Sequence, residues 1–255
     1  MLAEYLDHMG TDLTVVNAAR VSFSAESTEL TGRDINLIQF LARGCTSGEW
    51  FANISILSSE NLECDDAEKI LKWAKNMPTH WTPFSHAMIT MRETVPIFVA
   101  RQTFKHQIGF TRNEVSRRYV DDTPKFHVPE VWRARPVGGI KQGSGSYSYL
   151  DLKERFDVGR GGAIGIHQAY ADFTDAAEEL YTNMVNSGVA PEQARMVLPQ
   201  SMLTTYWVTG SLYAWANAYI QRSDAHAQVE IQQLAAQWDT IIQPLFPESW
   251  KALTK

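Results

Sequence analysis

The sequence predicts an α+β fold: a mixed central sheet flanked by helices. Two observations carry this. Short β-branched runs and amphipathic helical segments mix along the chain without a regular βαβ alternation. The clearest periodicity is helical, at 165–186 and 226–243, where apolar residues recur at spacings of three and four.

The elements follow in chain order. Residues 3–9 read as a short strand, and TDLTVVNAARV at 11–21 opens on a Thr/Asp cap and predicts a helix. Ile35, Leu37, Ile38, Phe40 and Leu41 predict a helix over 32–43, ended near Gly44, before an irregular stretch at 45–62 rich in Ser, Gly and Asn. Over 65–77, Ala67, Ile70, Leu71 and Ala74 share one helical face, after an acidic first turn and before Pro78. Ala87 to Val95 reads as a strand, and Pro96 suits the first turn of a helix through PIFVARQTFKH. VSRRYV at 115–120 reads as strand or extended loop. Residues 121–162, with the run GGIKQGSGS, read as a long surface excursion or a substrate loop.

Ile166, Ala169, Tyr170, Phe173, Ala177, Leu180 and Met184 form the stripe of the 165–186 helix. Ser187-Gly188 ends it, and Pro191 begins a shorter one. Residues 203–209 favour a strand and 211–221 a helix. The helix at 226–243 carries Ala227, Ile231, Leu234, Trp238 and Ile241 on one face.

Composition excludes more than it names. The 255 residues include 23 Lys+Arg against 29 Asp+Glu, a net charge of −6, and are 44% hydrophobic, which describes a folded chain rather than a disordered one. The length admits one large domain or two small ones. The acidity argues against nucleic acid as a partner, while leaving room for a local basic pocket. Cys45 and Cys64 are too few for a disulfide framework and lack zinc-site spacing, so a reducing cytosol and no metal are expected. No run approaches the roughly 18 apolar residues of a membrane span, and MLAEYLDHMGTDL lacks a signal peptide's basic start, so no membrane partner is expected.

Three clusters carry chemistry. Residues 101–118, RQTFKHQIGFTRNEVSRR, hold Arg101, Lys105, Arg112, Arg117 and Arg118 against Glu114 alone, a local charge of +4. The plain reading of such a run is a solvated face. Here it is mixed with Gln102, His106, Gln107, Asn113 and Ser116, a set that can grip phosphate and read the edge of a base or a flavin ring. The second cluster, His80-Trp-Thr-Pro-Phe-Ser-His86, has two histidines but no completing carboxylate or cysteine, and reads as a rigid turn at a strand entrance. The third, RSDAHAQVE at 222–230, reads by itself as a capping motif with Asp224 as the cap. A phosphate loop, a dinucleotide-binding Gly-x-Gly-x-x-Gly and a Gly-x-Ser-x-Gly elbow are all lacking.

In this order the clusters resemble the flavin-dependent thymidylate synthases, whose signature is Arg-His-Arg, seven residues, then Ser, followed by an Arg-Tyr pair. Lys105-His106-Gln107 stands in the first place, and Asn113-Glu-Val-Ser116-Arg-Arg118-Tyr119 matches the second half. PIFVARQ, HWTPFSH, NAARVSF at 17–23, ARMVLP at 194–199 and RSDAHAQVEIQQ at 222–233 are similar to family segments. The resemblance covers nearly the whole chain, and implies one domain over 1–255 with insertions near 45–63 and 136–162.

The resemblance implies reductive methylation of dUMP to dTMP. 5,10-Methylenetetrahydrofolate would donate the carbon, FAD reduced by NADPH the hydride, and the protein would be a cytoplasmic homotetramer with sites shared between subunits. It assigns Gln102, Lys105, Ser116, Arg117, Arg118, Arg195 and Arg222 to dUMP. Arg195 would reach in from a neighbouring subunit. Arg222, Arg118 and Ser116 form the implied catalytic set, with Arg222 polarising the uracil carbonyl and Ser116 as a hydrogen bonder. Ser22, His80, Thr82, Lys105, His106, Gln107, Asn113, Glu114 and Asn217 fall at FAD-binding places. The family uses no cysteine nucleophile, and neither cysteine here lies in an electropositive motif.

The sequence departs from the pattern at four points. The triplet loses two guanidinium forks, because Lys is a point charge and Gln is neutral. The gap from Gln107 to Ser116 holds eight residues, one more than usual. Arg117 replaces a common Gly, with a backbone N–H that still donates and a side chain in reach of phosphate. Ser211 and Tyr213 stand where Asn and Arg are common flavin contacts. These departures motivate two alternatives: modification of another pyrimidine nucleotide such as dCMP at C5, or a nucleotide-binding homologue without turnover.

Overall fold

The structure, a computed structural model, describes residues 1–45, 55–57, 64–75, 80–133, 156–157 and 163–255. Strands β1 (Leu2–Met9), β2 (Met88–Pro96), β3 (Phe110–Glu114) and β4 (Leu203–Ser211) form one sheet in the order β1-β2-β4-β3. Every neighbouring pair is antiparallel, so the expected mixed sheet is corrected to an antiparallel one. Apolar pattern reports which face of a strand is buried, and strand direction lies outside it. In β2 and β4 burial alternates with period two over most of their length, as in a sheet with one face on a core.

Among the described residues the helices of seven residues or more are α1 (Asp12–Arg20), α2 (Gly32–Ala42), α3 (Cys64–Lys75), α4 (Ile97–Thr103), α5 (Ile166–Asn186), α6 (Leu212–Ser223), α7 (Val229–Ile242) and α8 (Pro247–Thr254), and Pro191 opens the short helix Pro191–Ala194 as expected. The core lies between the sheet and α6, α7 and α8. Ile89, Met91 and Val208 meet Leu212, Trp215, Ile231, Leu234, Trp238 and Trp250, all buried. Each large indole also finds a polar partner, as buried tryptophans require. Trp215 Nε1 donates to Ile89 O at 3.2 Å, Trp238 Nε1 to Glu93 Oε1 at 2.7 Å, and Trp250 Nε1 to Asp239 Oδ1 at 2.6 Å.

Capping fixes the helix starts. Thr11 and Thr14 form a capping box on α1, and Thr31 and Asp34 form one on α2. Asp34 also accepts from Arg20 Nε at 3.0 Å and from Ser27 Oγ at 3.0 Å, which ties the NAARVSF segment to α2. The Thr31 hydroxyl above all, with the Thr31 N–H, Arg20 and Ser27, holds its carboxyl well below the usual range, against the opposing effect of burial. The sequence reading missed α8. Pro247 opens it, and Asp12 accepts from the N–H groups of Glu248 and Ser249, each at 2.9 Å. A long-range cap of this kind leaves no local signature.

Other boundaries shift. Of the two readings of 115–120, strand or extended loop, the structure has the loop, with a turn at 117–119; the strand lies earlier, at Phe110–Glu114. The helix from Pro96 stops at Thr103, so Lys105-His106-Gln107 belong to a loop. α7 starts at a Gln228 cap, because Asp224 spends its carboxylate on His226, accepting from its backbone N–H at 2.7 Å. On α5 the buried positions are Thr174, Ala177 and Tyr181, and the predicted stripe residues Phe173 and Leu180 are 56% and 50% exposed. The insertions near 45–63 and 136–162 fall largely outside the described residues. Among the described residues no helix is long and apolar enough to cross a membrane.

Candidate active site

α4 starts after Pro96 and delivers Gln102 in its last turn, one residue before its end. The loop that follows turns at Gly109, with φ +78°, and enters β3 at Phe110. A Cβ on Gly109 would stand 2.8 Å from Cβ of Ala214, and one on Gly210 would overlap the Phe110 ring. The loop is therefore pressed against the start of α6, and two glycines make the approach possible.

Arg222, near the end of α6, reaches this loop. Its Nε donates to His106 Nε2 at 2.8 Å and its Nη2 to Gln102 O at 2.9 Å. Burial pushes the His106 ring down to about 4, with the Arg222 and Arg112 charges adding to it. The ring is neutral at physiological pH, and acceptance at Nε2 assigns its proton to Nδ1. Gln102 turns its side chain toward α7, donating from Nε2 to Gln228 Oε1 at 2.7 Å.

A second neighbourhood surrounds a cavity of about 620 Å³, lined by Glu114, Ser116, Arg117, Lys125, Arg195 and Thr204 among others. Glu114 Oε1 accepts from Thr204 Oγ1 at 2.6 Å. Arg117 Nη1 donates to Asp122 O at 2.6 Å, and its guanidinium lies over the Tyr181 ring at 5.5 Å. That side chain pins the turn to α5 while lining the cavity, and its backbone N–H is a separate donor. Arg118 N donates to Ser116 Oγ at 3.3 Å, and its half-exposed side chain pairs with Glu192 at 3.3 Å. Arg195 Nε donates to Glu192 O at 3.2 Å.

A third neighbourhood joins the HWTPFSH turn to α6. Trp81 and Tyr213 stack at 5.3 Å, His80 lies 6.2 Å from Phe40, and Thr82 opens the turn Thr82–Ser85. Asn217 Nδ2 donates to Tyr213 O at 3.0 Å. Ser22 is exposed in the turn Val21–Phe23. Ser211 is buried as the cap of α6, its Oγ accepting from Ala214 N at 3.2 Å, so its departure from the family pattern has a structural use.

One chain thus gathers the expected residues in three places rather than one pocket. Glu114, Ser116, Arg117 and Arg195 line the large cavity, while Gln102, Lys105, Arg118 and Arg222 lie outside its lining. Tyr213 and Asn217 are one helical turn apart and share a face; Arg222, five residues on, is rotated from Asn217 by roughly 140°. Lys105, Gln107 and Asn113 are exposed beside the α4–β3 loop. The sequence reading did not single out Glu93, Tyr206 and Lys125, and gave Arg112 no role. For Glu93 a signal existed: it shares its strand face with Met91 and Val95, so its carboxylate had to point inward.

Among the described residues no group of three His, Cys, Asp or Glu side chains is placed to hold a metal ion. Cys45 is buried with its Sγ donating to Leu41 O at 3.0 Å, a setting that does not activate a thiol.

The family model described as Thymidylate synthase complementing protein matches residues 4–248. The Flavin-dependent thymidylate synthase of Thermosipho melanesiensis is 30% identical over 250 residues, covering 98% of this chain and 89% of its own length. That of Thermus thermophilus is 28% identical over 250 residues, covering 97% and 73%. The crystal structure of the UMP/dUMP methylase PolB from Streptomyces cacaoi, bound with 5-Br dUMP, aligns with a TM-score of 0.69 at 26% identity, covering 99% of this chain and 94% of that one. The chain belongs to the flavin-dependent thymidylate synthase family and is an enzyme of that class.

Proposed function

We propose that this protein converts dUMP to dTMP by reductive methylation, with 5,10-methylenetetrahydrofolate as carbon donor and NADPH as reductant. The observation that carries the reading is the fixed cation at Arg222. It is anchored by His106 Nε2 and Gln102 O and remains only partly buried, so it is oriented before substrate arrives. A guanidinium held in this way stabilises negative charge developing on a pyrimidine ring, because no reorganisation is needed at the moment of reaction.

The donors present fit FAD. Lys105 and Gln107 in the α4–β3 loop, Asn113 on β3, Ser22 in the turn Val21–Phe23, His80 and Thr82 at the Trp81 turn, and Asn217 on α6 supply one ammonium with amide, hydroxyl and imidazole groups, suited to phosphate and flavin edges. The family resemblance also assigns His106 and Glu114 to FAD; in this chain both are held as acceptors, His106 Nε2 by Arg222 and Glu114 by Thr204. FAD, when bound, supplies the hydride; the protein orients and shields the reactants.

For dUMP, the Ser116 hydroxyl and the backbone N–H of Arg117 offer donors on a turn, with Arg195 beside them as a cation for phosphate. Arg118, Gln102 and Lys105 complete the dUMP set. Because one chain keeps Arg195 and Arg222 in different neighbourhoods, the reading includes a homotetramer in the cytosol whose sites are shared, with Arg195 acting across a subunit boundary. The exposed Phe173 and Leu180 stripe supports burial against another copy.

A second reading, activity on a further pyrimidine nucleotide, is favoured by the relative from Streptomyces cacaoi, a UMP/dUMP methylase. The deciding measurement is release of the C5 proton from dUMP, with UMP and dCMP in parallel, in the presence of folate and NADPH. Purified protein should be yellow and act on dUMP. Failure both to bind FAD and to release that proton would overturn the reading, and activity confined to UMP or dCMP would select the second.

A further inference from the structure

The α4–β3 loop carries Lys105, His106 and Gln107, and the carbonyls around it serve as sockets for two arginines. Arg222 takes Gln102 O. Arg112 takes the other two: Nη1 donates to His106 O at 2.6 Å and Nη2 to Thr103 O at 3.1 Å. These carbonyls belong to the end of α4 and the loop beyond it, where positive charge is favoured; Thr103 O also accepts from His106 N at 3.0 Å, so Arg112 reinforces a backbone turn.

Arg112 is itself held on several sides. Its guanidinium lies over the Phe110 ring at 4.6 Å and near the Phe104 ring at 5.5 Å. The register of β3 sets it opposite Val208. Beneath it runs a buried polar chain. Thr103 Oγ1 meets the Tyr206 hydroxyl at 2.9 Å, the Tyr206 hydroxyl donates to Glu93 Oε2, and Trp238 Nε1 donates to Glu93 Oε1. Glu93 is 1% exposed and attracts the Arg112 charge. A buried charge set of this kind destabilises the fold unless it is well paired.

We propose that Arg112 is the positioning residue of the site: by fixing the carbonyls of Thr103 and His106 it sets the loop backbone, and through the His106 ring it sets Arg222. Arg112 acts through the loop rather than on substrate. The proposal rests on the function proposed above for the same loop.

The test compares Arg112→Met, which keeps length and apolar packing but drops the donors, with Arg112→Lys, which keeps the charge but not the fork. Three readouts are taken: hydrogen exchange at residues 104–110 without ligands, FAD affinity from the visible spectrum, and kcat and KM for C5 proton release from dUMP. For Arg112→Met the expected result is exchange at 104–110 raised at least about tenfold with β1 unchanged, and weaker FAD binding. kcat should fall by about a hundredfold, the scale of a small misplacement, with KM for dUMP moving much less. Arg112→Lys should restore part of each. Wild-type exchange at 104–110 together with wild-type kcat in Arg112→Met would overturn the proposal. So would exchange that rises equally in β1, which marks general loosening. If Arg112→Met does not fold, Arg112→Lys and Tyr206→Phe carry the same exchange measurement, and wild-type exchange in both overturns it. Should the wild-type protein neither bind FAD nor act on dUMP, the function fails, while exchange at 104–110 still decides the positioning role.

Discussion

Arg222 Nε and His106 Nε2 meet at 2.8 Å as donor and acceptor, so a residue often cationic near neutral pH serves here as a neutral anchor for a true cation. Replacing Arg222 by Ala removes the fixed charge and leaves His106 Nε2 without its donor. Turnover of dUMP should fall by roughly tenfold to a thousandfold, the cost of losing one preorganised donor. The C5 proton-release assay measures this, and near-normal turnover would show that Arg222 is not at the reacting ring.

His106 makes this arrangement sensitive to acid. Its ring titrates near 6.5 when unfolded and about 4 in the fold, so between those values the unfolded chain binds the extra proton. Stability attributable to this group therefore rises with pH from 4 to 6.5, and the Arg222 contact persists down to about pH 4. Ring resonances of His106 followed by NMR should titrate near 4. An inflection near 6.5 would contradict the neutral anchor.

Glu93 behaves in the opposite sense. Burial pushes its carboxyl up from 4.5 to about 7, against the donors Tyr206 and Trp238 and the charge of Arg112. Between those values the folded state holds the extra proton, so stability falls as pH rises, by up to about 3 kcal/mol for this group. Glu93→Gln keeps a side-chain acceptor for Trp238 and does not ionise. Its denaturation midpoint should exceed that of wild type at pH 8 and show no gain at pH 5. Equal losses at both pH values would refute the assignment.

Gly210 faces the Phe110 ring across the β3–β4 pair, with no room for a methyl group. Gly210→Ala should destabilise the protein by about 1–3 kcal/mol through overpacking, and should shift the loop that begins at Phe104. Chemical denaturation gives the first quantity, and the FAD absorbance at a fixed flavin concentration reports the second. A variant equal to wild type in both would mean that Phe110 has another place to lie.

Much of the fold is legible from periodicity. The stripe Ile231, Leu234 and Trp238 predicts the buried face of α7, and Ala87–Val95 predicts the central strand β2 almost to its ends. What periodicity misses are features made by distant residues. α8 depends on a cap from Asp12, and β3 ends where Glu114 meets Thr204. The 165–186 stripe is misread because Tyr181 and Thr174 turn inward while Phe173 and Leu180 face out. The site is legible as motifs, and Arg222, His106 and Gln102 do come together. Arg112 was visible only as one charge in a basic run, because its role lies in two backbone carbonyls that no side-chain pattern encodes.

The Asp12 carboxylate receives the N–H groups of Glu248 and Ser249 from 236 and 237 positions away. During synthesis α1 must therefore wait until residue 249 has left the ribosome before its acid is satisfied. Trp250 and Leu253, buried in the same core, arrive still later. A ribosome stalled before Pro247 would hold a chain with its sheet residues made but its core open on one side. Such a product is prey for proteases and in need of a holdase. The expression of this protein should accordingly be more sensitive to premature stops between 240 and 250 than the distance of those codons from the chemistry suggests.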